Sequence, residues 1–492
     1  MSTRTRFLLP LLFSLPFCAT AIVVPARAFV PAPLFSNSQL SLRVLPNGVR
    51  SIVKEAPGSG IVAVQVWVRA GSRHEFADQS GAAHLLGVAC LKASSGYSRQ
   101  SGGAATAIQA LGGTAFSQTS RDATNFSATV AKSSADKAMR ILADAVLHPD
   151  LSEAALNADK DAARGDIQAR DSDALLVSSD LSYAAAFATH PYRRSPLGQI
   201  AGIDALTQTR LRAFQQERYT GANISVVVVG DISATRAHEL IAQSFASAPR
   251  AQPGARTQFG APEAAPLKPR TIRRLGSVVR PTVALSFRAP GLDTPDDVVA
   301  MDVLTAHWQE GRDAVLRRAL LGATPDTSDE NVDDESSTRS GAGAPSNPPI
   351  ALGLDIAFLT QRDPSLITFS LVADQSNAVH AVSTTFAEIA RVRANGITAA
   401  QLERAKRVLR RQYVAQDETA AGQAGALGFY DMIGSYEFAA QYLDRINRVS
   451  IVDIKRVATR YLVPSSAVAI LIVPEPTPQT PLNDPDDGGV SV

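Results

Sequence analysis

Alternating apolar and polar positions mark several strands in the first half of the chain. Two strands are predicted over Ser41 to Val53 and Ile61 to Ala70, the second because valine recurs at every other position from Val62 to Val68. A hairpin is predicted from Thr114 to Thr119 and from Asn125 to Val130, and a β-branched run predicts another strand over Ile224 to Val229. These strands indicate a half-buried sheet.

Helical periodicity lies between the strands and continues after them. The predicted helices are the segment around His84, Ala104 to Leu111 before Gly112-Gly113, Ser134 to Leu147, Glu153 to Ala169 with Ser152 as its cap, and Leu206 to Tyr219. Strands interspersed with helices in this way are typical of the α+β class.

Part of this pattern recurs roughly half a chain later. Leu142 followed by Leu151 to Leu156 matches Ile389 followed by Ile397 to Leu402, and Arg218-Tyr219 before Val226 to Val229 matches Arg460-Tyr461 before Ala469 to Val473. Because the two matches share nearly the same offset, the sequence predicts two homologous domains.

Length and proline content separate the regions of the chain. A chain of 492 residues is too long for one ordinary core, and five prolines between Ser247 and Arg270 prevent regular structure there. Six acidic residues between Gly322 and Pro349 predict a disordered surface insertion. The predicted organisation is a signal peptide 1–28, a linker 29–40, a first domain 41–246, a linker 247–270, a second domain 271–476 with the insertion 322–349, and a disordered tail 477–492.

The N-terminus has the pattern of a secretory signal. Arg4 and Arg6 precede the apolar run Phe7 to Val24, and Ala26-Arg27-Ala28 forms an A-x-A cleavage site. A retained membrane anchor is the alternative, although Pro10 and Pro16 interrupt the run. We therefore expect a periplasmic or secreted protein with no membrane span after cleavage. The net charge of +2 argues against a nucleic-acid partner.

The helix around His84 carries most of the functional information. Within Gly81 to Ser94, His84 occupies the first histidine position of the inverted zinc motif H-x-x-E-H, in which two histidines one turn apart bind the metal and the glutamate activates water. The base position holds Gly87, and the second ligand position holds Val88. The motif therefore lacks its base and one ligand.

The residues around this helix resemble those of the M16 (pitrilysin and mitochondrial processing peptidase-like) zinc metallopeptidases. The order of His190-Pro191-Tyr192, Pro196-Leu197-Gly198 and Gly230-Asp231 also matches habits of that family's first domain. The resemblance implies two LuxS/MPP-like domains, each a mainly antiparallel sheet with helices packed on one face, enclosing a chamber that holds peptide.

The same resemblance implies a third zinc ligand, a glutamate on a later helix. Its best counterpart here is Asp166, whose side chain is one methylene shorter, so we expect it to reach a shared metal only with backbone movement. With Val88 as the second ligand position, we expect no intact metal site and no cofactor in this chain, although zinc is expected in the family and in a partner subunit.

Other catalytic chemistry has little support in the sequence. The remaining histidines, His74, His148, His190, His238, His307 and His380, show no metal-ligand spacing. The segment that corresponds to the family's substrate-contacting arginine and tyrosine keeps Arg317 and Arg318, but the tyrosine-bearing part gives way to the insertion. No G-x-S-x-G elbow or phosphate-binding loop is present. Cys90, on the apolar side of the His84 helix, is interpreted as a buried structural thiol.

Three functions remain open at this stage. The first is a non-catalytic M16 homologue, a peptide-binding or regulatory subunit that pairs with a zinc-bearing M16 endopeptidase in the periplasm and contacts peptides or unfolded protein segments. The second is an active zinc metalloendopeptidase with an atypical site. The third is a stand-alone peptide-binding or scaffold protein.

Overall fold

The computed structural model describes residues 40–250, 263–309, 314–322 and 348–475. Within these ranges the chain forms two units, each with a mixed sheet and its own hydrophobic core. The predicted signal 1–28, most of the linker 29–40, most of the insertion 322–349 and the tail 477–492 lie outside the described residues.

The first unit contains six strands and eight helices among the described residues. They are β1 (Leu40–Val44), β2 (Arg50–Glu55), β3 (Ile61–Val68), α1 (Ala82–Lys92), α2 (Gly103–Gln109), β4 (Thr114–Thr119), β5 (Thr124–Ala131), α3 (Ala135–Leu147), α4 (Glu153–Asp171), α5 (Ala174–Ala186), α6 (Ile200–Ala205), α7 (Gln208–Arg218), β6 (Ile224–Gly230) and α8 (Ala234–Ser244).

The second unit follows the same plan. Its described elements are β7 (Arg270–Gly276), β8 (Thr282–Ala289), α9 (Pro295–Gln309), α10 (Val315–Leu321), β9 (Gly353–Phe358), β10 (Ser365–Val372), α11 (Ala378–Asn395), α12 (Ala399–Gln416), α13 (Ala420–Ile433), α14 (Glu437–Arg448), α15 (Ile451–Tyr461) and β11 (Val468–Pro474).

Sheet topology repeats between the two units. The strand order is β1-β2-β6-β3-β5-β4 in the first sheet and β7-β11-β8-β10-β9 in the second. In each sheet one pair is parallel, β2 with β6 and β7 with β11, and all other pairs are antiparallel. The predicted α+β class, the antiparallel-rich sheets and the two homologous domains are therefore confirmed.

The single strand predicted over Ser41 to Val53 is wrong, because the structure has the hairpin β1–β2 there. Gly48 has a left-handed φ of 95°, and its N–H donates to the carbonyl of Leu45 at 2.8 Å. Asn-Gly is a strong hairpin signal because this backbone geometry favours glycine. Asn47 and Gly48 turn the chain so that Val44 pairs with Arg50.

The two units exchange one helix each. Helix α13 of the second unit packs on the free face of the first sheet, where Leu427 joins Ile52, Trp67 and Val227 in one buried cluster. Helix α5 of the first unit packs in the same way on the second sheet, against β8 and β11. Each sheet therefore carries its own helices on one face and a helix of the other unit on the opposite face.

Ion pairs that each have one buried partner reinforce this junction. The carboxylate of Asp431 on α13 accepts hydrogen bonds from the guanidinium of Arg50 at 2.7 Å and from the hydroxyl of Ser225. At a second point, Arg73 is 1% exposed and binds Asp122 of its own unit at 2.7 Å and Asp363 of the other unit at 2.5 Å. No helix of the described ranges has the length and apolar character needed to cross a membrane.

Candidate functional site

The site predicted from the sequence is built on helix α1. This helix is apolar on all sides, and of its residues only Val88 and Lys92 are not buried. A helix of that composition is placed inside the core by the hydrophobic effect. It runs between the first sheet and helix α4, so a polar side chain on α1 has few possible neighbours.

The start of α1 is fixed by Glu75, a residue that the sequence analysis did not identify. One oxygen of its buried carboxylate accepts a hydrogen bond from the N–H of Gly81 and the other from the N–H of Ala83, each at 2.9 Å. Complete burial raises the pKa of Glu75 to about 8, although these two hydrogen bonds oppose the shift. Glu75 was missed because six residues separate it from the first residue of the helix, beyond the usual capping positions.

His84 and Asp166 come together as the resemblance implied. His84 is 7% exposed, and its Nε2 atom lies 3.3 Å from Oδ2 of Asp166 on α4. Two ligands of one tetrahedral zinc lie about 3.3–3.6 Å apart when each metal–ligand bond is about 2.0–2.2 Å. This spacing argues against the expectation that aspartate falls short, because α4 packs close enough to α1 to compensate for the missing methylene.

The other two positions of the motif carry no functional group. Val88, one turn after His84, is half-buried and offers only methyl groups. At Gly87 an added Cβ would lie 3.0 Å from Oγ1 of Thr119 and 3.4 Å from a methyl of Thr124. The space beside the base position is therefore occupied by side chains of the neighbouring hairpin.

Strand β4 is bound to α1 by side-chain hydrogen bonds. The hydroxyl of Ser117 donates to the carbonyl of Gly87 at 2.9 Å, and that of Thr119 lies 3.5 Å from the carbonyl of Ala83. The opposite side chains of the strand point outward, and Phe116 is 48% exposed. Because β4 is the last strand of its sheet, its outer backbone groups face no other described strand.

These residues do not fit a zinc ion. A catalytic zinc takes three protein ligands and a water, and here the donors number two, with a valine where the third would be. Among the described residues, no group of three or more histidine, cysteine, aspartate or glutamate side chains is arranged to hold a metal. The predicted remnant positions His84, Val88 and Asp166 thus adjoin one another without completing a site.

The remaining candidates lie apart from α1 or are inert. His190 contacts Asp363 at the junction of the units, with 3.0 Å between Nε2 and Oδ2. Cys90 is a free, fully buried thiol, and burial raises its pKa well above the usual value. A buried, protonated thiol is consistent with the interpretation of Cys90 as a structural residue. Arg317 and Arg318 are exposed on α10.

Family comparisons match both units. The family described as Insulinase (Peptidase family M16) matches residues 50–199, and the family described as Peptidase M16 inactive domain matches residues 205–328. Both descriptions agree with the resemblance found in the sequence.

Similar proteins are found over part or most of the chain. An uncharacterized zinc protease of Mycobacterium leprae is 32% identical over 41% of this chain, and the match covers 45% of that relative, less than half of its length. Ubiquinol-cytochrome-c reductase complex core protein I of Euglena gracilis is 25% identical, with 87% of each chain covered.

One solved structure, a protease from Helicobacter pylori, superposes with a TM-score of 0.78 at 20% identity. The match covers 89% of this chain and 99% of that one. At this identity the superposition establishes the shared fold.

Proposed function

This chain belongs to peptidase family M16, and from that premise we propose that it is a non-catalytic homologue, the peptide-binding or regulatory subunit of a zinc-bearing M16 endopeptidase. The observation that carries the proposal is the valine at position 88. A zinc held only by His84 and Asp166 would lack the third protein ligand of a catalytic site. Gly87 also provides no carboxylate to activate a water molecule.

Peptide binding is supported by the edge of the first sheet. An extended peptide binds an open edge strand through main-chain hydrogen bonds, which need no metal. Strand β4 offers such an edge next to α1, and its hydrogen bond to the carbonyl of Gly87 keeps the strand in place. The exposed ring of Phe116 provides apolar area for one side chain of the bound segment.

Pairing with a second chain is supported by a relative of nearly full coverage. The Euglena gracilis protein is, by its name, a core protein of the ubiquinol-cytochrome-c reductase complex and therefore functions within an assembly. The signal-like N-terminus supports a periplasmic location for this chain and its partner. The partner would supply the zinc and the base, and this chain would contribute binding area.

The catalytic part of the proposal is tested by metal content and activity together. We expect the purified full chain to contain well under one zinc per molecule by plasma mass spectrometry and to leave unfolded peptides uncleaved. Near-equimolar zinc with peptidase activity that a chelator abolishes would contradict the proposal and favour an active zinc endopeptidase with an atypical site.

The pairing is tested in the native host. We expect this chain to co-purify with a zinc-bearing M16 chain and to increase the peptidase activity of that chain when both are combined. A partner whose activity is the same with and without this chain, together with no complex on size-exclusion chromatography, would favour a stand-alone peptide-binding protein.

A further inference from the structure

The two sheets have equivalent strand orders, but they differ at the edge next to the parallel pair of strands. In the first sheet, β2 is covered on its outer side by β1. The counterpart of β2 in the second sheet is β7, and none of the described strands lies on its outer side. The first unit thus shows that this position of the fold accepts an antiparallel strand, and no strand among residues 263–309, 314–322 and 348–475 fills it in the second unit.

The backbone of β7 has hydrogen-bonding groups that point to the open side. The N–H of Arg270 donates to the carbonyl of Ala467 at 3.0 Å, and the carbonyl of Gly276 accepts from the N–H of Glu475 at 3.2 Å. Residues of even number therefore bond to the β11 side. In a parallel pair the alternate residues direct their N–H and C=O groups outward. These outward residues are Thr271, Arg273 and Leu275.

The side chains along this edge combine apolar area with positive charge. Leu275 on β7 is 51% exposed, and Leu267 and Val279, three residues before and after the strand, are 89% and 81% exposed. Arg273 and Arg274 are exposed, and neither forms an ion pair with a carboxylate of the described residues. Charged side chains alone would hinder the pairing of this edge with another strand, but exposed apolar side chains favour such pairing.

We propose that β7 binds an extended segment of another polypeptide chain, added antiparallel to the second sheet, with two successive carboxylates flanked by apolar residues. Side chains of adjacent strands that lie opposite each other share a face of the sheet. A pair of successive glutamates therefore places one carboxylate beside Arg273 and the next beside Arg274, on opposite faces. Apolar residues before and after them meet Leu275 and Ile272, the latter half-buried against α5.

The proposed register specifies a probe peptide. Read from its N-terminus, the segment opposite Leu275 to Thr271 is Val-Glu-Glu-Val-Thr, which we would flank with glycines and label with fluorescein. We expect saturable binding to the full chain by fluorescence anisotropy, and no binding by the same peptide with both glutamates replaced by lysine. A peptide with N-methylated amides, which cannot donate main-chain hydrogen bonds, is expected not to bind.

Charge reversal separates this site from general basic attraction. In Arg273→Glu combined with Arg274→Glu, we expect the affinity for the glutamate peptide to fall about tenfold and the lysine peptide to bind instead. The matched control is Arg43→Glu, an exposed arginine on the edge strand β1 of the other sheet, which should leave binding unchanged.

Three results would overturn the proposal. The first is equal binding of the glutamate peptide by the charge-reversed and native chains. The second is binding only after removal of residues 476–492, because the chain's own tail would then hold the edge. The third is a native chain that does not bind the peptide, together with self-association of the double alanine variant at positions 273 and 274. In that case the two arginines would serve to prevent pairing at this edge.

Discussion

At the level of single residues, the zinc motif on α1 lacks one metal ligand and its catalytic base, while the spacing of the other two ligand positions is that of a zinc site. The 3.3 Å separation of His84 Nε2 and Asp166 Oδ2 is the spacing of two ligands that share a metal. Nothing in the side chain of Val88 can bind zinc, but its Cα lies one helical turn after that of His84, on the same face of α1. A single substitution at position 88 could therefore add the third metal ligand to His84 and Asp166.

We predict that Val88→His alone binds one zinc per chain and remains inactive as a peptidase, because Gly87 still supplies no base. Zinc content after dialysis measures the first part, and cleavage of an unfolded peptide measures the second. Val88→Ala is the matched control and should stay free of zinc. If zinc is absent from Val88→His, or is retained when Asp166→Ala is added, the aspartate is not a competent ligand.

Glu75 predicts a pH dependence of stability. Its pKa is raised by burial from 4.5 to about 8, so between these values the folded chain holds a proton that the unfolded chain has released. The free energy of unfolding should therefore fall as pH rises from about 4.5 to 8, and this contribution is fully present only below the lower value. We predict a shallower fall in Glu75→Gln, which still accepts a hydrogen bond.

Urea unfolding at a series of pH values checks this prediction. Glu153→Gln is the control, because Glu153 is exposed in the first turn of α4. A slope in Glu75→Gln as steep as that of the native chain would show that other groups account for the pH dependence.

At the level of secondary-structure elements, periodicity predicted most of what the structure contains. The hairpin β4–β5, helices α3 and α4 and the duplication were all predictable, because each depends on local spacing of apolar residues. Helix α5 was not predicted, and nothing local could have assigned it to the sheet of the other unit. An apolar helix face indicates burial but does not identify the partner. The proximity of Glu75 to α1 likewise depends on tertiary folding.

The docking of α13 on the first sheet is tested by two glycines of the same helix. A Cβ at Gly428 would lie 2.1 Å from Nε1 of Trp67, whereas one at Gly425 would lie 3.9 Å from the side chain of Gln65. We predict that Gly428→Ala lowers the free energy of unfolding by about 1–3 kcal/mol. Gly425→Ala should raise it by up to about 1 kcal/mol through helix propensity.

Chemical denaturation of both variants provides the measurement. Equal effects of the two substitutions would contradict the close packing of α13 on Trp67.

At the level of the whole molecule, the exchanged helices and the ion pairs between them couple the two units. Removing α13 would expose Ile52, Trp67 and Val227 and would leave Arg50 without Asp431. Neither unit should therefore unfold while the other stays folded.

The two tryptophans of the chain allow this coupling to be measured. Trp67 reports on the first sheet and its contact with α13, and Trp308 reports on the core of the second unit, so Trp308→Phe and Trp67→Phe each leave one reporter. We predict that, in each variant, tryptophan emission and far-ultraviolet circular dichroism change at the same denaturant concentration. Separate midpoints for the two probes would show that the units unfold independently.

The exchange of α13 also has a consequence during synthesis. The ribosome completes strand β6 at Gly230, but Ala420, the first residue of α13, is added about 190 residues later. At about 5–20 residues per second this interval lasts about 10–40 s. Throughout it, the nascent first sheet presents Trp67 and Val227 on a face that α13 covers in the folded chain. Until α13 has been synthesised, this apolar face makes the incomplete chain prone to aggregation.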